Sequence, residues 1–380
     1  MPPDANTEWD AVIVGGGPAG ATLAALLAGR GWRVVVLERA VFPRDKLCGG
    51  LVTEKTLDLV REVFSLTPAD LAARGAVTSE AHRCAIWYKS RRLAVEESDI
   101  PFRFVSRRAF DKLLLDRAVA AGATLVEGDR AIRCDPGNAT VTTAAGREYT
   151  GRCVVGADGV GSIVRRSLPP GTVDLAAWRR GLAACAEVTL DRRGPLAGAD
   201  HPAVYFGVAH YGYGWVFPRS ETQVTVGLGA LPGRNARPVR GLFLDFLSLL
   251  GVSPPDGTVL SGHAVPYGNY LLHPGAAAAM LIGDAAGLAD PLFGEGIYFA
   301  MRSAQLAAEA IASAADGPAA VGNYLRAHQA AIVPIMRHIL RKRWVVFTSL
   351  KWTGTTAVRA YLKANRGKLP RQVHDAPGPT

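Results

Sequence analysis

The sequence predicts an α/β protein, α+β overall, in which a parallel βαβ domain is interrupted by an antiparallel sheet and followed by helices. Three observations carry this. Two short apolar runs, Trp9–Val14 and Arg33–Leu37, flank a glycine-rich turn and the small-residue helix Ala21–Ala28, as buried parallel strands around a helix do. The stretches Ala183–Leu190 and Ala203–Leu231 alternate and are rich in Val, Tyr, Phe and Gly, the pattern of an antiparallel sheet. A buried strand then returns at Ala277–Gly283, followed by a long helix at Gly296–Ala315.

Between these landmarks, helix periodicity covers Glu54–Phe64 and Arg108–Ala121, and short strands are expected at Thr124–Glu127, Ala139–Thr143 and Cys153–Gly156. The segment Ala85–Ala94 adds a hairpin to the antiparallel sheet. The expected organisation is a discontinuous nucleotide-binding domain over residues 1–80, 101–175 and 260–320. A β-rich substrate domain takes 81–100 and 176–259, and a basic helical region takes 321–380.

Composition narrows the class. Hydrophobic residues make up 49% and charged residues 20% of 380, which is globular rather than disordered. No apolar run reaches the length of a membrane span, and Met1–Asp10 lacks the layout of a signal peptide. The five cysteines, Cys48, Cys84, Cys134, Cys153 and Cys185, contain no CxxC pair. No metal site or disulfide framework is therefore expected, and a reducing cytoplasm fits. Basic residues crowd the C-terminus, among them Arg337, Arg341, Lys342, Arg343, Lys351, Arg359, Lys363, Arg366 and Arg371 against one acid, Asp375. They are interleaved with Trp344, Val345, Val346, Phe347, Leu350, Trp352, Tyr361 and Leu362. That pattern suits either peripheral contact with an anionic membrane surface or an ordinary solvated helix with one packed face. No nucleic-acid motif accompanies it.

Asp10–Gly20 reads D-A-V-I-V-G-G-G-P-A-G, with Gly15, Gly17 and Gly20 at the G-x-G-x-x-G positions and Pro18 and Ala19 opening the helix. The first glycine permits the turn, the second lets backbone approach a pyrophosphate, and the third lets helix pack on strand. Glu38 ends the second strand, 23 residues after Gly15, where an acid accepts hydrogen bonds from a ribose. Arg39 follows it. An acid there disfavours a 2′-phosphate, so FAD or NAD suits the site better than NADP.

Further along stand V-V-G-A-D-G-V-G-S-I-V-R-R at Val154–Arg166 and L-I-G-D-A-A-G-L-A-D-P-L-F-G-E-G-I at Leu281–Ile297. With the fingerprint, these resemble the three FAD motifs of the para-hydroxybenzoate hydroxylase-like flavoproteins. R-D-K-L-C-G-G at Arg44–Gly50 and G-Y-G-W-V-F-P at Gly212–Pro218 resemble two signatures of the geranylgeranyl reductase family within that class. The resemblance implies a Rossmann-type FAD-binding domain. In it the acid matching Asp284, after Gly283, bonds the ribitol, and the loop matching Pro291–Gly296, with Gly294, Glu295 and Ile297, lies by the isoalloxazine. The residues matching Asp158, Gly159 and Arg165 shape the cofactor cleft. Arg107, or its neighbour Arg108, contacts phosphates or ribitol, and Lys46, Cys48 and Gly49 lie in the reductase loop.

The family's activity implies reduction of carbon–carbon double bonds in a polyprenyl chain: a geranylgeranyl group, a prenyl lipid or a menaquinone-type quinone. Tyr213, Trp215 and Phe217 alternate and so share a strand face, as aromatic walls of an apolar pocket or as plain core. Cys48, Tyr213 and Trp215 are the candidate catalytic residues; Cys48 is either a thiol activated by its basic, Gly-rich surroundings or a small packed thiol, the commoner fate of a lone cysteine. No second G-x-G-x-x-G follows, so NADPH, NADH or a reduced electron carrier is expected to dock transiently. The chain is expected to act as a monomer or homodimer in the cytoplasm, at most peripheral to the inner face of the membrane. Rival readings are an FAD-dependent monooxygenase or halogenase of an aromatic substrate, since Y-G-W-V-F-P half meets a halogenase signature, and a non-catalytic prenyl-binding protein.

Overall fold

A computed structural model describes residues 7–253 and 260–353, together with 355, 356 and 359. Its first sheet is built on Trp9–Val14, flanked in parallel by Val34–Glu38 on one side and Glu148–Gly156 on the other. Thr124–Glu127 and Ala279–Leu281 extend it in parallel at either end, and Gly275–Ala276 closes one edge antiparallel. The central strands are buried along almost their whole length, which is why they read as unbroken apolar runs rather than alternations. A small hairpin, Ala131–Asp135 with Thr140–Thr143, stacks onto the start of Glu148–Gly156. The helix Pro18–Ala28 is buried at ten of its eleven positions, and Arg107–Ala120 and Ile297–Ala312 pack against it. Its small side chains permit that approach.

The second sheet runs Ser261–Pro266, Leu182–Asp191, Gln223–Ala230, Gly212–Pro218, Ala203–Phe206, Val77–Tyr88, Arg91–Val105, Leu51–Val52. One face packs on the helix Val239–Leu249 through Val188, Val216, Val226, Leu228, Phe243 and Phe246. The other face is turned toward the first sheet and carries the site.

The structure departs from three expectations. The hairpin expected at 85–94 is far longer, spanning Val77–Tyr88 and Arg91–Val105, because bulges along it absorb the breaks in alternation that hid its ends. The sheet is not wholly antiparallel, since Ala203–Phe206 runs parallel to Val77–Tyr88. These strands come from distant parts of the chain, so no tight turn forces them antiparallel. Sheet membership also crosses the boundaries expected at 80, 101 and 260. Leu51–Val52, Val77–Tyr88, the end of Arg91–Val105 and Ser261–Pro266 all pair in the second sheet.

The C-terminal region forms Gly317–Ala331 and the long helix Val333–Thr353. The basic residues at 363, 366 and 371, with Tyr361, Leu362 and Asp375, lie outside the described residues. No helix among the described residues is long and apolar enough to cross a membrane.

Packing at Gly20 is the tightest feature of the βαβ unit. A Cβ there would stand 1.8 Å from the Gly15 carbonyl oxygen, a backbone atom that cannot swing aside as a side chain would. Gly20→Ala is expected to destabilise the protein by at least about 1–3 kcal/mol, the usual cost of overpacking. Urea unfolding of the flavin-free protein, compared with wild type, checks it.

Candidate functional site

A cavity of about 1580 Å³ opens between the two sheets. Of the expected site residues, all line it except Gly20, Gly283, Pro291 and Arg165, and Arg108, the alternative to Arg107. Contrary to the expectation, Gly20, Gly283, Pro291 and Arg165 stand behind the wall. Gly20 is spent on packing against Gly15. Gly283 adopts positive φ and donates its N–H to Ser303 Oγ at 3.0 Å, setting the turn that carries Asp284. Pro291 is buried, and its carbonyl faces the C-terminal helix.

The glycine positions divide by geometry. Gly15 has φ +105, and a Cβ there would meet the Ala157 carbonyl at 2.4 Å. At Gly17 the nearest atom to such a Cβ is Arg44 Nη2 at 3.6 Å, so this edge is open to the cavity. Glu38 is 6% exposed and its carboxylate accepts from Gly16 N–H at 2.8 Å and Ala40 N–H at 2.9 Å. It ties the end of the second strand to the turn and keeps spare lone pairs toward the cavity.

Cations gather opposite. Arg107 makes a two-point ion pair with Asp111 at 2.7 Å on each arm, and Arg44 joins the same carboxylate at 3.1 Å. Asp111 is fully buried. The structure separates the two arginine candidates, because Arg107 lines the cavity while Arg108 is exposed and reaches Asp45. Arg44 Nη1 is buried without a protein partner. An orphan guanidinium N–H beside an open glycine edge fits an anionic pyrophosphate, and the residues present therefore fit a dinucleotide. Arg44, Arg107 and the Gly17 turn would hold its phosphates, Glu38 its ribose, and Asp284 its ribitol chain.

Lys46 Nζ lies 2.8 Å from His263 Nε2. Burial lowers the lysine's pKa and, with Lys46 beside it, takes His263 down to about 4. A neutral His263 thus accepts from the Lys46 ammonium. Asp158 accepts from Ile163 N–H at 2.6 Å, yet its other oxygen is buried without a partner and burial raises its pKa. Arg165 does not line the cavity. It is buried under Trp178, 3.7 Å from the ring centre, and donates to the carbonyls of Ala285 and Val160, pinning two motif loops together.

The loop before helix Ile297–Ala312 is held by its carbonyls. Tyr213 donates its hydroxyl to the Phe293 carbonyl, Tyr267 to that of Leu292 at 2.7 Å, and Arg343 to that of Pro291 at 3.3 Å. The Tyr213 hydroxyl is thereby committed to the loop, and burial raises its pKa well above the usual value. Glu295 accepts from Thr53 at 2.6 Å and Thr56 at 3.3 Å, and burial pushes it up to about 7.

Past this loop the walls become apolar. Tyr213, Trp215 and Phe217 share the cavity face, with neighbouring ring centres 5.8 and 6.3 Å apart. Val204, Phe206 and Ile86 continue the wall, and Ile339, Val346 and Leu350 of the C-terminal helix close it. Gly49 leaves room for Phe217, whose ring would stand 2.9 Å from a Cβ there. Sequence reasoning missed Arg44 as a site residue, though it opens the R-D-K-L-C-G-G loop, and missed the C-terminal helix as a wall. It also missed His263, which no local signal marks, and Glu187, a lone acid on the inward face of an otherwise apolar alternation.

The fold and site define a flavin-dependent oxidoreductase. The family described as FAD binding domain matches residues 8–341. The chain is 30% identical over 316 residues to geranylgeranyl diphosphate reductase of Rhodobacter capsulatus, covering 80% of this chain and 75% of that protein. It is 31% identical over 331 residues to menaquinone reductase of Mycobacterium tuberculosis, covering 80% and 76%. The chain belongs to the FAD-dependent oxidoreductases of the geranylgeranyl reductase family. A geranylgeranyl bacteriochlorophyll reductase-like structure from Thermoplasma acidophilum superposes with TM-score 0.73 at 24% identity, covering 91% of this chain and 88% of that one. Flavin-dependent brominase and halogenase structures at 19% and 16% identity share the fold alone.

Two predictions follow from this geometry. Asp111→Asn leaves Arg107 and Arg44 as buried cations without their counter-charge, so FAD affinity is expected to fall at least about tenfold, read by flavin fluorescence titration of the apoprotein. Glu295 ionises near 4.5 when unfolded and near 7 when folded, so folding takes up a proton between these values and stability falls as pH rises through that window. Glu295→Gln is expected to raise the apoprotein Tm by several degrees at pH 8 and hardly at all at pH 4, as thermal unfolding at both pH values will show.

Proposed function

We propose that this protein saturates carbon–carbon double bonds of a polyprenyl chain, in a geranylgeranyl group, a prenyl lipid or a menaquinone-type quinone. The observation that carries this is the continuity of one cavity from the charged dinucleotide cradle to a long apolar end walled by Phe206, Tyr213, Trp215 and Phe217. A hydrocarbon chain gains by leaving water for such walls. The names of the two sequence relatives support the same chemistry.

Bound FAD, once reduced, supplies a hydride to an alkene carbon. The protein's residues prepare that event. Tyr213, Tyr267 and Arg343 hold the carbonyls of Phe293, Leu292 and Pro291, which fixes the loop that would lie beside the ring. The aromatic faces exclude water and favour the cationic character that makes a trisubstituted alkene accept hydride. Cys48 borders both halves of the cavity. The reductant for FAD, NADPH, NADH or a reduced carrier, docks transiently in this reading.

The helix Val333–Thr353 supports peripheral membrane contact. It exposes Trp344, at 61%, and Val345, while Arg341, Lys342 and Val345 border the cavity together with Ile339, Val346 and Leu350. Such a face suits the interface of an anionic bilayer, from which a lipid substrate would enter.

The test is anaerobic. Flavin-loaded protein is reduced with dithionite and mixed with geranylgeranyl diphosphate or a menaquinone. Flavin reoxidation, with lipid product two mass units heavier per reduced bond, is expected. No reoxidation without oxygen, but turnover once oxygen and an aromatic substrate are added, would instead establish a monooxygenase.

A further inference from the structure

The strand Leu182–Asp191 alternates, sending Ala186, Val188 and Leu190 into the core beneath the helix Val239–Leu249 and Ala183, Cys185 and Glu187 to the cavity face. A carboxyl in that position is chemically out of place. Register sets Glu187 opposite Gly227, and Gly227 opposite Trp215. A Cβ at Gly227 would stand 2.2 Å from the Trp215 ring, so the glycine exists to let the indole lie across the strand toward Glu187. Trp215 Nε1 is also 3.4 Å from where a Cβ of Gly49 would be, which places the carboxyl, the indole and the Cys48–Gly49 loop at one junction of the cavity wall.

Glu187 is 7% exposed, and its Oε2 is buried without a hydrogen-bond partner. No salt bridge holds it among the described residues. Ionised burial of this kind is costly. Burial pushes the carboxyl up to about 7, opposed by the charge of Arg219, the Trp215 indole N–H and the Cys48 backbone N–H. Cys185 flanks it on its own strand, and Lys46 and His263 stand beyond Cys185. By contrast, three neighbouring groups of the apolar end are committed: Tyr213 to the Phe293 carbonyl, Glu295 to Thr53 and Thr56, Asp290 to the N–H groups of Leu292 and Phe293.

We propose that Glu187 is the acid that protonates the substrate double bond, its carboxyl giving a proton to one alkene carbon while the other receives hydride from reduced FAD. The inference rests on the prenyl-reductase reading above. The balance is simple. The π bond breaks, two C–H bonds form, FAD is oxidised by two electrons and Glu187 is left as a carboxylate. The anion faces the Trp215 indole N–H, itself buried without a hydrogen-bond partner, and the Cys48 N–H, and regains its proton from solvent before the next bond is reduced. An acid ionising near neutrality is suited to this, being partly protonated at neutral pH and a competent donor.

The experiment uses the full flavin-loaded chain with Glu187→Gln and Glu187→Asp. Anaerobic reoxidation of dithionite-reduced protein by geranylgeranyl diphosphate is expected to slow at least about 100-fold in Glu187→Gln, the usual range for losing a general acid. FAD affinity, lipid affinity read by tryptophan quenching, and reoxidation by oxygen should stay within about twofold, since no proton to carbon is involved. In wild type the lipid step should fall as pH rises through about 7, and Glu187→Asp should keep part of the rate with a displaced midpoint. Independently of activity, infrared titration should show a carboxylic-acid C=O signal lost near pH 7 that is smaller in Glu187→Gln, the remainder belonging to Glu295 and disappearing in the Glu187→Gln/Glu295→Gln double variant. A Glu187→Gln protein with the wild-type lipid rate and pH profile would overturn the assignment while leaving the reductase intact. Wild type that reduces no prenyl lipid would overturn both.

Discussion

Everything at this site hangs on backbone meeting backbone without side chains between. Gly15 turns against Ala157, Gly20 against Gly15, and each contact is closer than a Cβ allows. The first contact joins the fingerprint turn to the end of Glu148–Gly156, which delivers Asp158. The second seats the helix Pro18–Ala28 so that its N-terminus faces the cavity. Glu38 then locks the second strand to the same turn through the Gly16 N–H. Three motifs far apart in sequence are thus one rigid object before any ligand is present, which is the preorganisation a tightly held cofactor requires.

On that object the charges are sorted. Cations sit where phosphates would lie: Arg44 and Arg107 share the buried Asp111, which fixes their geometry and leaves Arg44 with an unspent N–H. Acids sit toward the ring-side and apolar end, where burial favours their neutral forms: Glu295 and Glu187 are both pushed to about 7. The cavity therefore passes from a cationic cradle to a wall of aromatic rings and of carboxyls whose ionisation burial opposes. A gradient of that kind suits a molecule with an anionic dinucleotide end and a reaction partner that is a hydrocarbon.

What was legible in the sequence follows from how local its cause is. Trp9–Val14 and Glu54–Phe64 were readable to the residue, because burial on both faces or one helical stripe leaves a periodic trace. The Tyr213–Trp215–Phe217 face was readable for the same reason. The Val77–Val105 hairpin was only half visible, since its bulges break the alternation that marks a strand. The parallel pairing of Ala203–Phe206 with Val77–Tyr88, the meeting of Lys46 with His263, and the orientation of Glu187 against Trp215 are contacts between segments more than a hundred residues apart or across strands in register. No window of sequence contains them. Gly227 and Gly49 were similarly silent, because their meaning lies in the ring that occupies the space above each of them.

The C-terminal helix shows how one element can serve opposite ends of the same cavity. Its Ile339, Val346 and Leu350 complete the apolar wall, a role that a sequence reader would assign to ordinary core packing. Its Arg343 reaches inward to the carbonyls of Tyr267 and Pro291 and lies 4.8 Å from the Tyr267 ring centre. Tyr267 in turn holds the Leu292 carbonyl. The helix that borders the apolar end is therefore bonded to the loop Pro291–Phe293, with no flexible linker between. A cation is well chosen for that task, because three successive loop carbonyls point outward and need donors that the short loop cannot itself provide. The basic character of the segment is thus not uniform in purpose. Arg343 is a half-buried structural donor, whereas Arg341 and Lys342 border the cavity near the exposed Trp344.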